Sequence, residues 1–113
     1  MPTPLWTPGL DWIAATHLTR FSQAMQARHG LADTDYATLH RWSVEHLEQF
    51  WAAVWEDAGV VASKPYTEVL GEWKFPGTQW FSGAKLNFAE NLLAKGEDKQ
   101  DAIRFVGEEG PRR

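Results

Sequence analysis

The sequence predicts a mainly α fold: a small unit of about four or five helices, then an extended crossing and one C-terminal β-strand or hairpin arm. Three observations predict it. Large apolar residues at Leu47, Phe50, Trp51, Val54 and Trp55 recur at the i, i+3, i+4, i+7, i+8 spacing of a helix with one buried face. Residues able to cap helices stand ahead of several apolar-periodic runs, with glycines behind them. After Gly59 that spacing stops, and lysine, proline, glycine and isolated apolar residues alternate instead.

Taken in order, Thr7-Pro8 reads as a cap followed by proline at the first helical position. It opens a short turn from Pro8 to Ala15 that is expected to aim Trp12 and Ile13 at a core. Thr16 can cap a second helix, His17 to Arg28, with Leu18, Phe21 and Met25 on one face and Gly30 closing it. Leu31 to Thr34 connects to a third, short helix capped by Asp35 and carrying Tyr36, Leu39 and Trp42. Ser43 is expected to cap the main helix, Val44 to Ala58, which Gly59 ends. Its three rings can each bury ~150–250 Å², so other parts of the chain must cover them.

From Val60 to Gly77 the chain reads as an extended crossing with a short strand near Val69-Leu70. Trp80-Phe81 reads as loop. Asn87 with Glu90 three residues later resembles a capping box and opens a helix from Phe88 to Ala94, ended by Gly96. Glu97 to Asp101 is a charged loop. Ala102 to Val106 is a strand candidate, GEEGP after it is turn chemistry, and a second hairpin arm is expected at Arg112-Arg113. A lone strand is not stable without a partner, and no second long strand candidate lies upstream. The expectation is therefore the front part of a larger protein, reaching one hairpin arm into the next domain.

The 113 residues suit one domain, or one domain plus the edge of another. There is no cysteine, which fits a reducing compartment. The opening MPTPLWTPGLDW has no early basic residue and three prolines, unlike a signal peptide. No apolar run approaches the ~18–20 residues of a membrane span. The net charge of −4 and scattered lysines argue against a nucleic-acid partner. A soluble, cytoplasmic chain without nucleic-acid or membrane partner is expected.

The blocks LTRFSQAMQARHG, DYATLHRWSVEHLEQFWAAVW and WFSGAKLNFAENLL carry a specific likeness. Most of its weight lies in Trp42–Val44, Phe50-Trp51, Trp80-Phe81 and Leu86-Asn87. Together they resemble the N-terminal region of the acetoacetyl-CoA synthetases, in the acetyl-CoA-synthetase-like branch of the AMP-forming, adenylate-forming ligases. The likeness runs from about Leu5 to the C-terminus. Acetyl- and propionyl-CoA synthetases are more weakly similar: Asn91 matches their second asparagine, but Leu92-Leu93-Ala94 departs from their ending, which favours acetoacetate over acetate.

This resemblance implies a whole enzyme that uses ATP, magnesium, CoA and acetoacetate. The acid becomes an acyl-adenylate, and CoA's thiol then displaces AMP. It further implies that residues 1–96 form the N-terminal helical domain, and that residues 97–113 hold the first strand and turn of an α/β adenylating domain, its partner in the same chain. The family's phosphate loop, ribose-binding acid and catalytic lysine have no match here. Gly83-Ala84-Lys85 has a single glycine and cannot form a phosphate nest. No catalytic or metal residue is therefore assigned, and the chain alone is expected to be inactive.

Seven tryptophans invite a ligand-stacking reading. Four of them, Trp12, Trp42, Trp51 and Trp55, share helix positions with other apolar residues and read as core. Trp80-Phe81 has no periodic partner; it reads either as core or interdomain packing or as lining of the CoA channel. His17, His29, His40 and His46 lack metal-ligand spacing and read as solvated. Glu45, Glu48, Glu56 and Asp57 read as the polar face of the main helix. Trp80, Lys85 and Asn87 are the weak cofactor-site candidates, with Asn87 better explained as a cap. Trp80 to Leu93 is expected to dock on the adenylating domain, and an apolar patch around Phe81 and Leu86 is expected to allow self-association. The competing reading is an independent helical interaction module that uses an aromatic surface.

Overall fold

The computed structural model describes residues 4–101, 103–108 and 110–112. These residues form helices α1 (Leu10–Ala14), α2 (His17–His29), α3 (Tyr36–Glu45), α4 (Leu47–Asp57) and α5 (Phe88–Leu93). Strands β1 (Glu68–Leu70) and β2 (Trp80–Ser82) lie between α4 and α5, and β3 (Phe105–Gly107) and β4 (Gly110–Arg112) follow α5. The mainly α architecture is the one the spacing predicts.

Three of the expected caps form. Thr16 Oγ1 accepts from the Thr19 amide at 3.2 Å, and an Asp35 carboxylate oxygen accepts from the Thr38 amide at 2.8 Å. Asn87 Oδ1 accepts from Ala89 N at 2.9 Å and Glu90 N at 3.3 Å. Each supplies an acceptor that the first turn of its helix lacks. Gly30 sits at φ 68° after α2 and Gly59 at φ 60° after α4, left-handed positions that a Cβ disfavours.

Two other caps are displaced. Thr7-Pro8 does not open α1: Gly9 occupies the cap position without a side-chain bond, its carbonyl accepting from Ile13 N at 3.0 Å. Ser43 caps nothing. It lies inside α3 and its hydroxyl donates to His40 O at 2.7 Å, because the Asp35 cap already starts a helix that runs through it.

The boundary between the expected third helix and the main helix thus lies at His46 (φ −129°, ψ 57°), not at Ser43, and Val44 and Glu45 belong to α3. His46 N still donates to Trp42 O, and His46 O still accepts from Phe50 N, both at 2.9 Å. The bend lets the Leu39/Trp42 stripe of α3 and the Phe50/Ala53 stripe of α4 face one core. That core is Met25, Leu39, Trp42 and Ala53, with Phe21, Leu31 and Phe50 packed against it. Ring pairs Phe21–Phe50 and Trp42–Phe50, at 6.1 and 6.0 Å, are edge-to-face.

The tryptophan expectation splits accordingly. Trp42 is core, but Trp51 is 38% exposed and Trp55 is half-buried, because both leave α4 on the side away from α2 and α3. Trp12 is 61% exposed and meets only the Trp6 ring at 5.8 Å among the described aromatic pairs. Leu18 and Ile13 are likewise exposed.

Trp80-Phe81 is strand rather than loop. β1 and β2 pair antiparallel, Glu68 opposite Ser82 and Leu70 opposite Trp80, so a short sheet does lie upstream. The C-terminal strand is shorter and later than expected: Ile103 and Arg104 precede β3, and its partner arm starts at Gly110, with Gly107 opposite Gly110. Gly110 at φ 108° allows that tight reversal. Ala102, Glu109 and Arg113, which the strand, turn and second-arm expectations include, lie outside the described residues. The radius of gyration is 19.2 Å, against about 13 Å for a compact 100-residue domain. The chain does not close upon itself.

Candidate functional site

The weak site candidates lie along β2 and the turn leading to α5. Trp80 packs edge-on against Trp51, ring centroids 5.7 Å apart. Phe81 meets Trp55 at 4.5 Å and Tyr66 at 5.4 Å, and Trp55 meets Tyr66 at 5.3 Å. The two tryptophans that α4 turns away from the core therefore receive the β1–β2 hairpin. Periodicity within α4 could show that these rings need cover, but not that a strand supplies it. Phe81 adopts φ 50°, a conformation rare for a side chain with a Cβ, and this seam holds it there. The expected patch at Phe81 is consequently not exposed; Phe81 is half-buried.

Gly83 follows at φ 84°, where an added Cβ would come within 3.1 Å of Thr67 Oγ1. Thr67 donates to Ser82 O from both its amide, at 2.8 Å, and its hydroxyl, at 3.0 Å. Close packing of the hairpin accounts for this glycine. Lys85 then makes an isolated antiparallel bridge with Lys64. Its carbonyl accepts from Ser63 N at 2.8 Å and Ser63 Oγ at 3.0 Å. Its exposed ammonium makes no ion pair among the described residues.

Asn87 spends its side-chain oxygen on the α5 cap, and its carbonyl accepts from Asn91 Nδ2 at 2.9 Å. Trp80, Lys85 and Asn87 thus lie on one stretch but do not converge: one ring packs, one side chain caps, and one cation faces solvent. No cluster of three metal-ligating side chains occurs among the described residues. The residues present do not fit an ATP–magnesium site.

A further concavity lies elsewhere. An apolar groove of about 510 Å³ runs between α2, α3 and α4, floored by Leu18, Phe21, Leu39, Phe50 and Val54. The four histidines are exposed, with the His29 and His46 rings 4.8 and 6.3 Å from the Trp42 ring between centroids. The Asp35 carboxyl is held below the usual carboxylate range, chiefly by the Thr38 amide it accepts from. Glu56 pairs with Arg28 at 2.7 Å, while Glu45, Glu48 and Asp57 are exposed, as the polar face requires.

Outward-facing apolar residues gather instead at the C-terminal side. In α5, Phe88, Leu92 and Leu93 are 76%, 66% and 69% exposed, and Leu86 just ahead of it is exposed too. Ile103, Phe105 and Val106 are also exposed.

Comparison with known proteins agrees with this arrangement. Residues 36–92 match the family described as acetyl-coenzyme A synthetase N-terminus. An acetoacetyl-CoA synthetase of Macaca fascicularis is 41% identical over 108 residues, which is 94% of this chain and 16% of that protein. One of Rhizobium meliloti is 34% identical over 106 residues, again 94% of this chain and 16% of its own length. A malonamoyl-CoA synthetase of Penicillium aethiopicum is 41% identical over 81 residues, 70% of this chain and 11% of that one. Among solved structures, the acetoacetyl-CoA synthetase from Streptomyces lividans superposes with a TM-score of 0.75 at 49% identity, over 80% of this chain and 14% of that chain. The chain spans about one sixth of the curated relatives it matches. From its matched residues and its fold together, the chain belongs to the acetyl-coenzyme A synthetase N-terminus family.

Proposed function

We propose that this chain is the N-terminal, non-catalytic region of an AMP-forming acid–thiol ligase that joins acetoacetate to CoA in the cytoplasm at the expense of ATP. The carrying observation is the aligned length: relatives named acetoacetyl-CoA synthetase match nearly all of this chain with only 16% of their own. Residues 1–96 act as a docking domain, and residues 97–113 begin the adenylating domain on which it docks. Support comes from the exposed Leu86, Phe88, Leu92 and Leu93, which form an apolar surface on an otherwise capped and latched helix. The same surface, in place of Phe81, would drive self-association of the isolated chain.

ATP, magnesium and CoA are bound by residues beyond this region. Of Trp80, Lys85 and Asn87, the Lys85 ammonium is the charged group that faces solvent toward a CoA phosphate, while the Trp80 ring packs on Trp51 and Asn87 Oδ1 caps α5.

The test is product formation by the full chain given acetoacetate, ATP–magnesium and CoA. AMP and an acyl thioester should form, faster with acetoacetate than with acetate, while residues 1–113 alone release no pyrophosphate. Calorimetric titration of the 113-residue chain with each ligand should give no heat. Saturable CoA binding abolished by Lys85→Glu would instead make the Trp80–Asn87 stretch part of the thiol channel.

A further inference from the structure

Helix α5 is inverted relative to an ordinary surface helix. Its apolar Phe88, Leu92 and Leu93 face outward, and Asn91 is the one residue of the helix that is partly buried. What ties α5 inward is a polar clamp. Asn91 Oδ1 accepts from Val61 N at 2.7 Å, and Asn91 Nδ2 donates to Val61 O at 2.8 Å and to Asn87 O at 2.9 Å. The carboxamide therefore pairs with Val61 as another peptide group would, acceptor to N–H and donor to C=O, across thirty positions of sequence. Just beyond the helix, Lys95 Nζ donates to Ala58 O. Both attachments land on the turn that leaves α4.

We propose that Asn91 is a positioning residue: its carboxamide sets the orientation of α5 on the turn after α4, so that Phe88, Leu92 and Leu93 stand out as a prearranged docking face. The occupant of that face is the remainder of the same polypeptide. Relatives carry about five sixths of their length outside the matched region, and α5 ends at Leu93, with eleven residues between it and β3. Only this naming of the occupant rests on the functional reading above; the clamp does not. Apolar packing could not hold α5 inward and leave its apolar side available, whereas a two-sided amide pairing can. The pairing is also directional, fixing rotation about the helix axis.

Hydrogen–deuterium exchange on the full chain tests this directly. Asn91→Ala should speed exchange of the Val61 amide and the α5 amides about tenfold or more, the factor that ~1.4 kcal/mol represents. The amides of α2 and α3 should be unchanged, so a global loss of structure is distinguishable. Asn91→Asp supplies a second reading at about pH 4 and pH 7, since a free aspartate titrates near ~3.9. As a neutral acid it can still accept from Val61 N and donate to Val61 O. Ionised, it loses the donor and faces two carbonyl oxygens. Exchange corrected for intrinsic rates should therefore approach wild type at the lower pH and rise at the higher, and wild type measured at both pH values is the control for the neighbouring charged residues Glu90 and Lys95, which both proteins share.

Val61 exchange within twofold of wild type in Asn91→Ala would overturn the proposal. So would Asn91→Asp behaving alike at both pH values. Should Asn91→Ala fail to accumulate, the aspartate variant alone decides. A full chain that shows the clamp but forms no acyl thioester would reject the proposed function and leave the clamp standing.

Discussion

The α2–α4 unit and α5 solve the same problem in opposite ways. In α2–α4, apolar stripes converge on Met25, Leu39, Trp42 and Ala53, and charges such as Glu48 and Asp57 face water. In α5, Asn91 faces inward and leucines face out. A helix whose buried contact is apolar has finished its folding within the unit. One whose buried contact is polar keeps its apolar area for another surface, and that area removed from water is worth ~25 cal/mol per Å² when it docks. On the docking proposed above, the exposed apolar residues of α5 mark a joint rather than a poorly made core.

Four substitutions or conditions test the contrast. Trp42→Ala should cost the most, about 3–5 kcal/mol as a buried large-to-small change, read as a lower midpoint in chemical denaturation. An unchanged midpoint would mean that α2–α4 is not held by this core. Trp51→Ala should cost less, about 1–3 kcal/mol, because its ring is 38% exposed and loses chiefly the Trp80 contact. Equal costs at the two positions would erase the distinction between core and seam.

Phe88→Ser with Leu92→Ser should alter the stability of residues 1–113 by no more than about 0.5 kcal/mol, yet weaken binding of a hydrophobic dye. A large fall in stability would place α5 within the folded core after all. The smallest effect concerns Asp35. Its carboxyl titrates below an ordinary aspartate because the folded state bonds its ionised form. The stability it contributes is therefore present above the unfolded value of ~3.9 and is lost as pH falls through the folded one. Asp35→Asn should flatten that acid limb without moving the neutral-pH helix content; an identical limb in both proteins would deny the cap its role.

Much of the fold was legible because capping and periodicity act within a turn or two of helix. Thr16, Asp35 and Asn87 signal their helices from bonds made two or three residues away. The same local logic failed at Ser43, since a hydroxyl can serve a helix start or sit within a helix, and the earlier Asp35 cap decided between them. Trp80-Phe81 reads as loop from sequence because a three-residue strand has too little alternation to register, while its partner lies ten or more residues upstream. As for the site candidates, Asn87's role as a cap was legible, but Trp80's match with Trp51 and the exposure of Lys85 required the folded chain.

By itself the sequence determined the helical class, three of the caps, the glycine stops at Gly30 and Gly59, and the family likeness. Each depends on residue types at short spacing. Tertiary structure alone decided that the boundary between α3 and α4 falls at His46 and not at Ser43, that Trp51 and Trp55 turn toward a hairpin, and that α5 shows its apolar side outward. These depend on which distant groups meet: Asn91 with Val61, thirty positions apart, and Arg28 with Glu56, twenty-eight apart. A periodic stripe states that one face of a helix is apolar; only the contacts across the chain state what that face meets.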